Sequence, residues 1–461
     1  MKPKYHPEYI IILFLLMIGS SFLSCKKELD TKPSKSLEVP STVNDLQALL
    51  DNIYIMNNLP PGFDEASADD YYLQDPAFEA LVSFQRNAYL WQSKGTDFAD
   101  FPNDWANIYN PVYYANVALD YIGSIAVTPN NQADWNNVKG SALFFRSLSF
   151  LRAAWIYSKA YDPATDAQDY GIVLRLTSDF NIQSARASLK ETYDQIINDL
   201  KEAVPLLPDR PKQVTRPSKA SAYALLARTF LSMRNYPQAG LYADSSLQVY
   251  NTLIDYNTIL PGSSRPFQRF NSEVLFQIAM SIFQFTNIYP RIALVDSVLY
   301  QSYADDDIRK TAFFRLYAEP DQYNFKGSYD GSPNTLFMGI ATDEVYLMRA
   351  ECYARGGDIA DAMADLNTLI ETRWSNTSTY IPFSAATAAD ALALVLTERR
   401  KELIFRDLRW MDLKRFNKDG ANITLTRNIN GVIYTLPPND NRYALPIPAP
   451  IIAQTGMPQN P

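Results

Sequence analysis

The chain has 461 residues, 47% of them hydrophobic and 20% charged, and a formal net charge of −8. That length predicts several domain-sized units or one larger composite domain, and the composition excludes collagen-like and disordered chains. An acidic chain without long Lys/Arg runs is unsuited to gripping a phosphate backbone, which excludes nucleic acid as a main partner.

Lys2 and Lys4 open the chain, and an apolar run over residues 9–18 is closed by Gly19, Ser20, Ser21, Phe22, Leu23, Ser24 and Cys25. The run is shorter than the roughly 20 residues a membrane-spanning helix needs, so it reads as the core of a secretory signal. A cysteine directly after a small residue at this place resembles a bacterial lipoprotein cleavage site. Residues 1–24 are therefore expected to leave as a signal peptide, and Cys25 to carry the lipid that anchors the mature chain to a membrane. The only histidine, His6, leaves with the signal, and the loss of two lysines and one glutamate moves the net charge to −9. With Cys25 lipidated, Cys352 has no disulfide partner. Residues 25–41 are polar and contain proline, which suits a tether.

Residues 42–56 read as a helix capped by Ser41 or Thr42. Residues 57–102 show no helical period and carry Pro60, Pro61, Gly62 and many aromatics, so they form a first insertion. Helical spacing returns over 103–122 through Trp105, Ile108, Tyr109, Val112 and Tyr113, with Pro111 predicting a kink or two helices. Residues 134–160 are apolar on more than one side, as in a helix buried among others. Over 189–207 the apolar stripe is Tyr193, Ile196, Ile197, Leu200, Ala203, Val204 and Leu207. Ser188 and Glu191 form a capping box at its start, and Pro205 and Pro208 mark its end. Residues 218–233 and 237–250 then form a helix pair around Asn235.

That pair has a counterpart 123 residues later. Tyr223, Ala227, Phe230, Tyr236, Ala239 and Ala243 correspond to Tyr346, Ala350, Tyr353, Ile359, Ala362 and Leu366. Small residues on facing positions of antiparallel helices, with an aromatic one turn on, are the pattern of a tetratricopeptide (TPR) helix pair. The prediction is a mainly α protein in which 42–461 is one domain. TPR-type pairs near 103–250 and 343–371 form its scaffold, and long loop-rich insertions lie at 57–102, 255–342 and 372–388.

Aromatics make up 13% of the chain and many fall in the insertions. Tyr and Trp present an apolar face and a polar tip, which suits partly polar ligands. Asp69 beside Tyr71 and Tyr72, with Trp91 nearby, places acids and rings on one loop. Carboxylates hydrogen-bond sugar hydroxyls while rings stack on the sugar face. The structural alternative is that such long insertions use about half of these rings in small cores of their own.

Several stretches together resemble the SusD/RagB family of Bacteroidetes outer-membrane lipoproteins. Residues 138–161 (VKGSALFFRSLSFLRAAWIYSKAY) are similar to the family's Gly-Glu-Ala-x-Phe-x-Arg-Ala helix, with Ser141 in place of Glu. Residues 192–208 match its Tyr-x-x-Ile-x-x-Asp-Leu-x-x-Ala pattern through Tyr193, Ile196, Asp199, Leu200 and Ala203. Residues 397–416 (TERRKELIFRDLRWMDLKRF) resemble its Glu-Arg-x-x-Glu-Leu…Arg-Trp-x-Asp-Leu signature, and 443–461 its closing Pro-Ile-Pro…Gln-Asn-Pro tail. Arg406-Asp407 stands where Glu-Gly is common, so the local backbone is expected to differ. The resemblance implies a SusD-like fold and a non-enzymatic cell-surface lipoprotein of the outer membrane. Such proteins capture oligosaccharides, or peptides, for a SusC-type TonB-dependent transporter. It also implies that ligand loops sit in the insertions. Trp91, Tyr71, Tyr72 and Asp69, with Tyr289 and Arg291 of the second insertion, are the candidate ligand residues.

The bare chemistry agrees. Without a mature histidine, Ser-His-Asp triads, Cys-His dyads and His-containing zinc sites are excluded. No phosphate-binding Gly-rich loop occurs, and no cofactor or metal is expected. Cys352 reads as a small core residue. Glycoside hydrolysis needs only two carboxylates, which keeps a surface glycoside hydrolase as one alternative and a TPR-like assembly scaffold as another. The obvious acids, Glu398, Glu402 and Asp412, are interleaved with arginines, and ion pairing opposes the raised pKa a general acid requires. Asp305-Asp306-Asp307 lacks EF-hand spacing and reads as a solvated helix start.

Overall fold

Helical periodicity becomes a layered scaffold whose neighbours are set by small residues and buried charge. The computed structural model describes residues 40–58, 60–92, 103–281, 285–332 and 334–460. The signal, Cys25 and the tether to residue 39 lie outside the described residues, as does 93–102 of the first insertion.

The scaffold helices are α1 (Asp104–Ile122), α2 (Gln132–Tyr157), α3 (Leu189–Leu206), α4 (Lys219–Ser232), α5 (Tyr236–Val249), α6 (Thr342–Gly356), α7 (Ile359–Glu371), α8 (Ala388–Glu402) and α9 (Arg409–Lys418). The first five pack in chain order, each on the next. The next neighbour of α5 is α6, across the whole second insertion, and α6 carries α7 and α8. The two repeat-like pairs, distant in sequence, therefore stand side by side. Ala227, Ala239 and Ala243 of the first pair, and Ala350, Ala362 and Leu366 of the second, are all fully buried. Gly240 sets the α5–α6 approach, since a Cβ there would meet Cys352 Cβ at 2.9 Å. Cys352 is thus a packing residue, and burial pushes its thiol up to about 12.

α2 is the central helix: from Gly140 to Tyr157 every residue is buried. Of its two buried arginines, Arg146 donates to both carboxylate oxygens of Asp199 on α3, at 2.7 and 2.8 Å. The capping box of Ser188 and Glu191 is formed, and Ser218–Ser221 and Thr387–Asp390 cap α4 and α8 in the same way. The C-terminal tail closes α2. Its Ile156 carbonyl accepts from Leu445 N–H (2.8 Å), and its Tyr157 carbonyl accepts from Asn460 Nδ2 (2.9 Å). This satisfies carbonyls that a helix end leaves without partners.

Three local expectations change. Residues 42–56 form two helices, Val43–Leu50 and Ile53–Met56, interrupted at Asp51 and Asn52. Of the two outcomes expected at Pro111, a kink or two helices, the second is excluded: Pro111 lies inside one continuous α1. The first insertion contains the short helices Phe63–Ser67, Asp75–Glu79 and Ser83–Tyr89, each too short to show a period. At the Arg406-Asp407 departure, Phe405 and Asp407 take φ of 55° and 64°, left-handed values that favour glycine. Asp407 is held there with its amide donating to Glu65 (2.7 Å) and its carboxylate facing Arg152 (3.3 Å).

Candidate functional site

The insertions fold against the late helices through buried charge. The backbone pairing of Tyr71–Tyr72 with Leu294–Val295 joins the first insertion to the second, Tyr72 opposite Leu294. Asn287 Nδ2 adds a bond to the Tyr71 hydroxyl at 2.8 Å. Candidate residues from two distant stretches thereby come to one region.

Within it, the six candidates divide by exposure. Trp91 is 0% exposed and its Nε1 donates to the Ser67 carbonyl at 2.9 Å. Tyr71 is 1% exposed and its hydroxyl donates to the Ala66 carbonyl at 2.6 Å. The Arg427 guanidinium lies over the Tyr89 ring at 4.3 Å and the Trp91 ring at 5.2 Å, and it donates to the Tyr71 carbonyl at 2.9 Å. These rings are packing residues: Trp91 is clustered with Trp410, Leu413, Leu425, Leu436 and Tyr443, and Tyr71 lies against Tyr89 and Phe405. That corrects the expectation of Trp91 and Tyr71 as ligand contacts: neither has a face open to solvent.

Asp69 is engaged within the protein. Its two oxygens accept from Arg409 at 2.7 and 3.0 Å, and Arg400 lies at 3.6 Å. Burial alone would raise its pKa, but Arg409 and Arg400 outweigh that and hold it well below the usual carboxylate range. The expected role of Asp69 as an acceptor for sugar hydroxyls is replaced by ion pairing. Its neighbour Asp70 binds Arg400 at 2.9 Å, and Arg400 also reaches Asp296 of the second insertion at 3.0 Å. The signature arginines of α8 and α9 thus clamp both insertions.

Tyr72, Tyr289 and Arg291 remain accessible, the first two half-buried and Arg291 exposed. The Tyr289 carbonyl accepts from the amides of Ile292 (2.7 Å) and Ala293 (2.8 Å), and Arg315 holds the Pro290 carbonyl at 3.1 Å. These bonds fix a tight turn with Arg291 on it. The Arg291 guanidinium makes no hydrogen bond or ion pair among the described residues. The Tyr289 hydroxyl points to Asn334 at 3.4 Å. An exposed cation two residues from a half-buried phenol, on a turn whose backbone is fixed, can bind hydroxyl-rich or anionic ligands.

A groove of about 520 Å³ lies elsewhere, between Val298, Leu299, Leu392, Leu396 and Ile423. Arg355, Arg400 and Arg409 line it, but each is already paired with a carboxylate. Its only ring, Phe416, is buried, so it offers no stacking surface.

The acids named for hydrolysis are structural. Glu398 and Glu402 bind Arg309 at 2.5 and 3.0 Å, and Glu402 also takes Arg373 at 2.8 Å. Asp412 bridges Arg399 and Arg415, each at 2.8 Å. Burial would raise Glu402 and Asp412, but these arginines prevail and both are lowered. Sequence spacing did not reveal Arg309 and Arg373, because they lie on other elements. Burial does raise Asp104 and Glu273, each to about 7, yet both are sealed from solvent. Glu273, Asp343 and Glu402 converge closely enough to hold a cation. Arg373 and Arg406 already supply that charge. In the acidic triplet, Asp307 caps the helix Ile308–Phe313 and is buried against Arg309, which corrects its reading as solvated.

Comparison with known proteins follows the same lines. Residues 27–231 match a family described as starch-binding, associating with outer membrane, and residues 313–461 match one described as the SusD family. Among solved structures, a SusD superfamily protein from Bacteroides thetaiotaomicron has a TM-score of 0.74 at 20% identity, covering 91% of this chain and 100% of that one. A SusD superfamily protein from Bacteroides fragilis gives 0.71 at 19%, covering 91% and 99%. A SusD-like carbohydrate binding protein from Bacteroides vulgatus gives 0.68 at 21%, covering 90% and 97%. At these identities the likeness to solved structures is one of fold. No curated protein matches the chain. Among the described residues, no helix is long and apolar enough to cross a membrane.

Proposed function

Because the chain belongs to the SusD family, we propose that it is a cell-surface lipoprotein that captures oligosaccharides, or peptides, and delivers them to a SusC-type TonB-dependent outer-membrane transporter. The observation that carries the ligand-binding part is the junction of the two insertions. There Tyr72, Tyr289 and Arg291, which is unpaired among the described residues, remain accessible, while Trp91 and Tyr71 are buried and Asp69 is held by Arg409. The reading is of a binder and not a hydrolase. It is supported by the pairing of every acid in the late signature with arginine and by the burial of the acids whose pKa is raised.

Anchoring through Cys25 and partnership with a transporter belong to the same proposal. A glycan array probed with the soluble chain lacking residues 1–25, followed by an assay for released reducing ends on each glycan bound, tests it. Binding without turnover is the expected result. Release of reducing ends that disappears on replacing one carboxylate would favour the hydrolase, and co-purification with a large β-barrel would support delivery.

A further inference from the structure

A second, smaller cavity lies away from the insertions, where the segment after α2 meets α9 and the residues around Tyr443. It has a volume of about 220 Å³, enough for one sugar-sized molecule, and its lining is polar: Lys159, Asp162, Asp169, Lys414, Lys418 and Tyr443 among others.

The charges on this lining are nearly all matched. Asp162 accepts from Lys418 at 3.0 Å, and Asp169 faces Lys159 at 3.5 Å. Asp440 is taken by Arg442 at 2.9 Å. Lys414 is the exception. Its residue is 6% exposed and it has no carboxylate partner among the described residues. Its Nζ donates to the carbonyls of Trp155 (2.7 Å) and Ser158 (2.5 Å), which close the C-terminus of α2. Capping a helix end accounts for two N–H groups and suits the helix dipole. An ammonium has a third N–H, and it meets no protein acceptor among the described residues.

We propose that this cavity binds one small hydroxy-carboxylate, such as a uronic acid, with the Lys414 ammonium as the buried anchor for its carboxylate. One unmatched positive charge calls for a single negative charge, and the polar groups of Thr165, Asn439, Asn441 and Tyr443 suit ligand hydroxyls. Burial draws Lys414 down to about 7, with Asp64 opposing it only from beyond ion-pair distance, and a bound carboxylate would add a counter-charge in direct contact. This site shares no residue with the insertion junction, so it stands or falls independently of glycan capture there.

Calorimetric titration of sodium glucuronate into the soluble chain, with glucose as the uncharged control, tests the proposal. Glucuronate should bind at one site, and Lys414→Met should weaken it by about tenfold or more, as loss of a buried charge-assisted contact requires. Asn441→Asp leaves the Lys414 contacts in place and adds a repelling carboxylate to the lining; it should weaken binding similarly, and it decides the matter if Lys414→Met fails to fold. Absence of saturable glucuronate binding, equal binding of glucose, or unchanged affinity in the folded variants would overturn the proposal.

Discussion

Arg409 grips Asp69 through two N–H donors, at 2.7 and 3.0 Å, across 340 positions of sequence. The contact ties the first insertion to the late helical signature. It also converts a residue with the chemistry of a sugar acceptor into a fastening point.

Replacing Asp69 with Asn should cost about 2–3 kcal/mol in urea unfolding, less than the roughly 3–5 of a fully buried pair because Asp69 is partly exposed and Arg400 keeps Asp70 and Asp296. The sign with pH follows from the lowered pKa of Asp69 in the folded protein. Its stabilisation is complete above the unfolded aspartate value of about 4 and is lost as pH falls toward the folded value. The melting temperature of the wild type should therefore drop more steeply below pH 4 than that of Asp69→Asn. Parallel acid limbs would refute the assignment.

Trp91→Ala should destabilise the chain by about 3–5 kcal/mol, the usual cost of emptying a large buried site. The milder Trp91→Phe should fold and retain its ligand affinity. A folded Trp91→Phe protein with weakened binding would restore Trp91 to the ligand site.

At the helix crossing, Gly240→Ala places a methyl 2.9 Å from Cys352 Cβ and should force α5 from α6. A cost of about 1–3 kcal/mol is expected from overpacking. Shortening the neighbour as well, in Gly240→Ala with Cys352→Gly, should recover part of it. Wild-type stability in the single variant would mean that the two helices do not approach so closely.

The scaffold was legible because its signals are local. Ser188 and Glu191 cap where their spacing placed them, and Ala227, Ala239, Ala350 and Ala362 mark the helix crossings. The adjacency of α5 and α6 was not legible, since no spacing announces a neighbour across the second insertion. The hairpin of Leu425–Ile429 with Val432–Leu436 had a usable cue in Asn430-Gly431, both at positive φ, the pair that a tight hairpin turn demands. The candidate site was half legible. Residue type and loop position selected Trp91 and Tyr71 as readily as Tyr289, but composition cannot tell a ring buried against other elements from one at the surface. Only the tertiary partners, Ser67 for Trp91 and Arg427 beneath the ring cluster, separate them.

Ligand held at the junction of the two insertions should depend on the residues left accessible there. The direct measurement is calorimetric titration of an array-selected oligosaccharide into the wild-type soluble chain and into the double variant Tyr289→Ala, Arg291→Ala. Removing a ring and an exposed guanidinium should weaken binding by tenfold or more, about 1.4 kcal/mol or above, with no change in melting temperature beyond a few degrees. Undiminished affinity in the folded double variant would contradict the account and place the ligand elsewhere.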